Sequence, residues 1–327
     1  MVIEELLTSH SAMRKPLYMT VFGIVLCSVA LFSSYLIFPE HASILTIAFI
    51  SIGATVIMHN TFIETEELDE KIRTKTAIHP ELVRMYVFFF IGLIISFSFW
   101  YAVLPEEPTD VCLLENQICI NNVSNNTFFK EQNKTLGQID QLRARLTGQA
   151  TGMVSGTSAC EQDALCWFNI IFLNNLEVLV LALFFSFLYG AGAIFLIAWN
   201  ASVIAVVIGQ SILAENHFQF IGLLPHGIPE LVSYFAAAIA GGLLSAAIVK
   251  GAIQRRSFFH IFDEVILFII IAAASLLAGA LIEALAITGE QTLAPIISVL
   301  YLVGLLWFLI RMKNQPVPNV SNRLLNK

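Results

Sequence analysis

Apolar residues along this chain come in long blocks. Runs of about 18 residues or more, enough to cross roughly 30 Å of hydrocarbon, occur near 17–38, 42–59, 86–104, 170–190, 191–213, 228–249, 264–283 and 293–310. The pattern predicts an all-α fold, a polytopic transmembrane helical bundle of about eight spans with one large exocytoplasmic loop. The stretch from Ile170 to Leu213 is about 44 residues, too long for one crossing, and is divided at Tyr189-Gly190-Ala191-Gly192, where two glycines favour a tight turn. The first run follows Arg14 and Lys15 and has no small-residue cleavage pattern, so it reads as a retained span rather than a secretory signal.

Composition places the chain in lipid. Hydrophobic residues make up 57% and charged residues 13%, with a mean hydropathy of +0.79, against roughly 25% charged in soluble domains. A net charge of -7 offers no basic surface to nucleic acid. With both termini cytoplasmic, the inner segments hold Arg14, Lys15, Lys71, Arg73, Lys75, Arg84, Lys250, Arg255, Arg256, Arg311, Lys313, Arg323 and Lys327, thirteen of the 17 basic residues. Lys130, Lys134, Arg143 and Arg145 fall in one long outer loop. This bias supports eight crossings in the cell membrane, multi-pass, with both ends inside. The organisation read from it is an N-terminal membrane part (1–104) with three spans and a charged connector (60–85), the loop (105–167), a C-terminal membrane core (168–313) with five spans, and a tail (314–327).

The loop holds Cys112, Cys119, Cys160 and Cys166, an even number that suggests two disulfides with three pairings open. It also holds three glycosylation sequons, at Asn122, Asn125 and Asn133. From Phe128 to Gln149 it is polar and helix-compatible, interrupted by Gly137 and Gly148, and reads as one or two short helices on the outer surface. Cys27, inside the first span, reads as a small buried apolar residue. The connector opens acidic and turns basic, as a solvated segment does.

Polar side chains inside a span are costly and need an internal partner or a wet cavity. Asn174, Asn175 and Glu177 lie near the start of the fourth span, about a turn and a half in, and Asn200 near the middle of the fifth, where an interhelical hydrogen bond is expected. Glu283 closes the seventh span. The densest feature is Leu224-Pro225-His226-Gly227-Ile228-Pro229-Glu230-Leu231. Pro229 suits a first helical turn and Glu230 the positive end of its dipole, so a helix is expected to start there, with His226 and Glu230 on one side. The spacing lacks the further ligands a metal needs, so neither metal nor cofactor is expected. Small residues recur every four positions at Ala201, Ala205 and Gly209, at Ala237/Gly241 and Gly242/Ala246, and at Ala274/Ala278 and Ser275/Gly279, which should pack spans five to seven tightly.

Phe168 to Asn175, then Gly190 to Asn200 with Gly209, and above all Leu224 to Leu231 followed by an Ala-rich helix with Gly241-Gly242, resemble the stage II sporulation protein M family, also known as DUF95, in an archaeal-type member with an elaborated outer loop. The resemblance implies a multi-span membrane protein that holds partners at the membrane, and it draws attention to His226, Gly227 and Glu230. Catalytic signatures such as Gly-x-Ser-x-Gly or His-Glu-x-x-His are missing from the sequence. The expectation is a non-enzymatic scaffold or anchoring component of a membrane or cell-envelope complex, with the bilayer, protein partners and a homo-oligomer as its associations. The alternative is a transporter or channel with a polar cavity lined by Glu177, Asn200, His226 and Glu230.

Overall fold

Pro39 separates the first two helices. The computed structural model describes residues 17–72, 80–113, 118–146, 160, 163–187, 191–214, 222, 224–249, 257–289 and 292–313. Helix α1 (Leu17–Ile37) ends where Phe38 turns extended ahead of Pro39, and a single 3-10 turn (Pro39–His41) leads into α2 (Ala42–Ile72). Helix α3 (Pro80–Val103) begins on a proline whose missing N–H costs nothing at the first helical position. After the insert, the long apolar block forms α6 (Ala164–Phe187) and α7 (Ala191–Leu213), so the division expected at the glycines holds. Helices α8 (Leu224–Val249), α9 (Ser257–Ile287) and α10 (Leu293–Lys313) complete the bundle.

Seven of these helices are long and apolar enough to cross a membrane, and α10 adds the apolar stretch Leu293–Phe308. At 1.5 Å per residue the 21 residues of α10 reach about 31 Å, close to the hydrocarbon thickness. The fold is an all-α polytopic bundle, as expected. Several helices outrun the apolar runs that announced them. Helix α2 continues through the acidic part of the connector to Ile72. Helix α6 starts at Ala164 rather than 170, because the Asp163 carboxylate accepts the Leu165 N–H at 2.9 Å and caps the first turn. The basic residues Arg14, Lys15, Arg73, Lys75, Lys250, Arg255, Arg256, Arg323 and Lys327 lie outside the described residues.

Helix α8 is the hub, touching α2, α3, α6, α7, α9 and α10. Its small residues explain how. A Cβ on Gly241 would collide with the Ser186 side chain of α6, and one on Gly242 with the Phe62 ring of α2. Ala237 and Ala246 are fully buried. On α7, Ala201 and Ala205 are buried, and a Cβ on Gly209 would lie 2.5 Å from the Tyr101 ring of α3. Such close backbone approach supplies the dispersion that holds helices together where lipid offers no hydrophobic drive. On α9 only one of the two small pairs faces the bundle: Ser275 and Gly279 are buried, whereas Ala274 is exposed. Cys27 is buried, as expected.

The insert holds the strands found among the described residues. Strands β1 (Thr109–Leu113) and β2 (Ile118–Val123) form an antiparallel hairpin, with Cys112 directly opposite Cys119 and an irregularity between Thr109 and Val111. At that irregularity Asn122 takes φ 61°, a region asparagine tolerates better than most residues, and its N–H donates to the Asp110 carboxylate at 3.0 Å. Ser124 then caps α4 (Asn125–Phe128) by accepting the Thr127 N–H. Helix α5 (Lys130–Leu146) runs unbroken through Gly137. Gly148 lies outside the described residues. A disulfide joins Cys160 to Cys166, with Cα atoms 5.4 Å apart, and Cys112 is also disulfide-bonded.

The turn between α4 and α5 does not merely rest on the bundle. The Phe128 ring stacks on Tyr35 of α1 at 4.2 Å, and Phe129 meets Phe97 and Tyr101 of α3 edge-on. Gln132, 1% exposed, donates from Nε2 to the Ser202 hydroxyl of α7 at 3.1 Å. The insert is thus wedged into one end of the bundle by two aromatic rings and an amide.

Candidate functional site

Within the bundle, three helices bring polar side chains together. Glu230 and Tyr234 lie four apart on α8, which places both on one helix face. Opposite them on α6 stands Asn175. Its Nδ2 donates to Glu230 Oε1 at 2.8 Å, and its Oδ1 accepts from the Tyr234 hydroxyl at 3.4 Å. One amide therefore answers a carboxyl with its donor end and a hydroxyl with its acceptor end. Tyr234 is 5% exposed, so an unanswered hydroxyl there would be costly.

Helix α9 closes the third side. A Cβ on Gly279 would stand 2.8 Å from Glu230 Cγ and 3.3 Å from the His226 carbonyl oxygen, so only glycine lets α9 approach this closely. Glu283, one turn further along α9, is half-buried.

Pro229 is not in a first turn. Helix α8 begins at Leu224 and carries Pro229 in its interior, so Glu230 is past the first turn as well. A proline at 229 cannot donate to the carbonyl of Pro225, four residues back. That carbonyl is answered from outside the helix: the Ser298 hydroxyl of α10 donates to it at 3.1 Å. A neighbouring side chain thus restores the bond that the proline removed.

The other residues singled out from the sequence are dispersed. Asn174 and Glu177 are both exposed. Glu177 is two positions beyond Asn175, about 200° around the helix, and points away from Glu230. Asn200 turns its amide to the Leu196 carbonyl of its own helix, 2.8 Å away, instead of reaching a neighbour. His226 is half-buried one turn before Glu230, and a Cβ on Gly227 would meet nothing within 4 Å. No group of three or more His, Cys, Asp or Glu able to hold a metal occurs among the described residues.

Of the sequon asparagines, Asn122 is exposed. Asn125 is 2% exposed and donates to the Tyr101 carbonyl at 3.4 Å. Asn133 donates to Asn126 Oδ1 at 3.0 Å and accepts from Tyr101 and Gln210. Asn125 and its neighbour Asn126 line a cavity of about 270 Å³ with Tyr101, Glu106, Gln210 and Leu213.

Tyr234, Gly279 and Ser298 escaped the sequence reading of the site. Tyr234 carried a usable signal, its four-residue distance from Glu230. Ser298 carried none, because nothing in the chain says which helix will meet Pro225.

A multi-span helical bundle whose interior is crossed by a Tyr–Asn–Glu chain defines this as a polytopic α-helical membrane protein. Residues 85–286 match the family model described as SpoIIM, Stage II sporulation protein M, and the chain belongs to that family. The match takes in α3 and the insert as well as α6 to α9, and so extends well beyond the motifs that first suggested it. No curated protein and no solved structure matches the chain.

Proposed function

We propose that the protein is a non-enzymatic scaffold that anchors partners of a membrane or cell-envelope complex, with the insert facing outward and both termini in the cytoplasm. The observation that carries this reading is the wedge of Phe128, Phe129 and Gln132, which couples the insert to the transmembrane helices. A disulfide-braced polar surface fixed to a rigid bundle is suited to holding a partner at a set position over the membrane. The Tyr234–Asn175–Glu230 chain supports the same role by tying α6 and α8 in one register. The concentration of basic residues in the segments assigned to the inside supports the orientation.

The test is affinity purification in mild detergent of the full chain and of a Phe128→Ala/Phe129→Ala variant. Recovery of a stoichiometric partner with the wild type and its loss with the variant, at equal membrane abundance, is the expected result. Absence of any partner from the wild-type preparation refutes the scaffold. The transporter reading draws on one observation, a hydrogen-bonded carboxyl within a span. It requires that Glu230→Gln change ion or solute flux in proteoliposomes; equal flux from wild type, variant and empty vesicles removes it.

A further inference from the structure

In the cavity beside the insert, hydrogen-bond donors and acceptors do not balance. Each side-chain nitrogen on its wall is turned to an acceptor of the protein itself. Asn125 Nδ2 donates to the Tyr101 carbonyl at 3.4 Å and Asn126 Nδ2 to the Glu106 carbonyl at 3.5 Å. Gln210 Nε2 donates to the Tyr101 hydroxyl and to Asn133 Oδ1, both at 3.4 Å. The Tyr101 hydroxyl gives its own proton to Asn133 Oδ1 at 3.3 Å.

What is left over accepts. Glu106 is exposed, and its carboxylate has no ion pair or hydrogen bond among the described residues. Gln210 Oε1 and Asn125 Oδ1 receive no donor there either, although Asn125 is only 2% exposed. The cavity is therefore negative at one edge and rich in oxygen acceptors. The group that complements such a wall is a cation carrying several N–H bonds, and a primary ammonium has three. A divalent ion is poorly served, because Glu106 is the single carboxylate among the lining residues. At about 270 Å³ the space lies just below the roughly 300–1,000 Å³ of pockets that take drug-sized ligands, so it fits one small head group.

Depth adds to the chemistry. The apolar window of α3 ends at Val103 and that of α7 at Leu213. Tyr101 and Glu106 flank the first end, and Gln210 and Leu213 form the second, so the cavity opens where two spans leave the apolar layer. That is the level at which lipid head groups lie.

We propose that this cavity binds a primary ammonium group, with the Glu106 carboxylate as its charge partner and the Gln210 and Asn125 oxygens as its acceptors. The ethanolamine head group of a lipid and a free alkylamine share this chemistry. A choline head group carries the same charge without an N–H, and displaces the water on these oxygens without replacing its hydrogen bonds. The site stands independently of the scaffold reading, because it needs no protein partner.

Two measurements on the full chain purified in detergent test it. In native mass spectrometry with short-chain phosphatidylethanolamine and phosphatidylcholine at equal concentration, at least tenfold more of the ethanolamine lipid is expected to stay bound. In calorimetric titration, ethanolamine is expected to bind and choline not. Retention of the lipid without heat from free ethanolamine assigns the site to a membrane head group, and binding of free ethanolamine with equal retention of both lipids assigns it to a soluble amine. Glu106→Gln should lower the signal at least tenfold, while Glu107→Gln, exposed beside it and outside the cavity, should leave it unchanged. Both side chains are exposed, and an unchanged thermal transition confirms that the variants are folded. Equal retention of the two lipids together with no binding of ethanolamine overturns the site. So does choline binding as well as ethanolamine, or a signal indifferent to Glu106→Gln.

Discussion

Helices α8 and α6 have nearly the same mean hydropathy, 1.9 and 2.0, yet 78% of the α8 span window is buried in the molecule against 6% of that of α6. Hydropathy measures compatibility with an apolar medium, and both lipid and a packed protein interior are such media. Residue size separates the two helices. Helix α8 runs Ala236 to Gly242 almost without bulk, so neighbours close in on every side. Helix α6 carries Leu173, Val180, Phe184 and Phe185 outward, which fill lipid well and backbone contacts poorly. Polar residues divide the same way. Glu230 of α8 is answered inside the molecule, and Glu177 of α6 is not.

The comparison can be broken most severely at the α8–α6 contact. Gly241→Leu drives a side chain into Ser186, where neither backbone can retreat. The expected loss is about 3 kcal/mol or more, read as a collapse of the thermal transition in detergent. Next is Glu230→Leu, which strands the Asn175 amide and loosens the Tyr234 hydroxyl. A loss of about 1–3 kcal/mol is expected. The double variant Asn175→Leu/Glu230→Leu should recover part of it, and strict additivity in that double-mutant cycle would show that the two side chains are not coupled. Ser298→Ala leaves the Pro225 carbonyl unanswered and should cost about 1 kcal/mol, in line with hydrogen bonds between membrane helices. The smallest effect belongs to α6. Leu173→Ala, 61% exposed, should shift stability by less than about 0.5 kcal/mol, and a larger loss would mean that this side of α6 packs against protein.

Much of this architecture was legible in the chain. The apolar runs located every long helix, and the two glycines after Tyr189 located the break between α6 and α7. The small residues at 237, 241, 242 and 246 marked the helix that others approach most closely. Helix ends were less legible, since a cap such as Asp163 or the continuation of α2 into charged sequence leaves no trace in an apolar count. The hairpin was missed, because its strands are only five and six residues long and lie in an insert dominated by helix-compatible residues. In the site, Glu230 stood out as a costly residue in a span. The choice of Asn175 over Asn174, Glu177 or Asn200 as its partner did not, because it depends on the rotation of α6 about its own axis.

The physical limit follows from that last point. A span is a property of about 20 consecutive side chains in a medium, so summing along the chain is enough to find it. That sum made this protein a helical membrane bundle with a cysteine-bearing insert. Which face of each helix meets protein and which meets lipid depends on contacts between residues far apart in the chain. Only the assembled bundle decided that Asn175 would close on Glu230, that Ser298 would replace the bond lost at Pro229, and that Phe128 and Phe129 would lock the insert into its end.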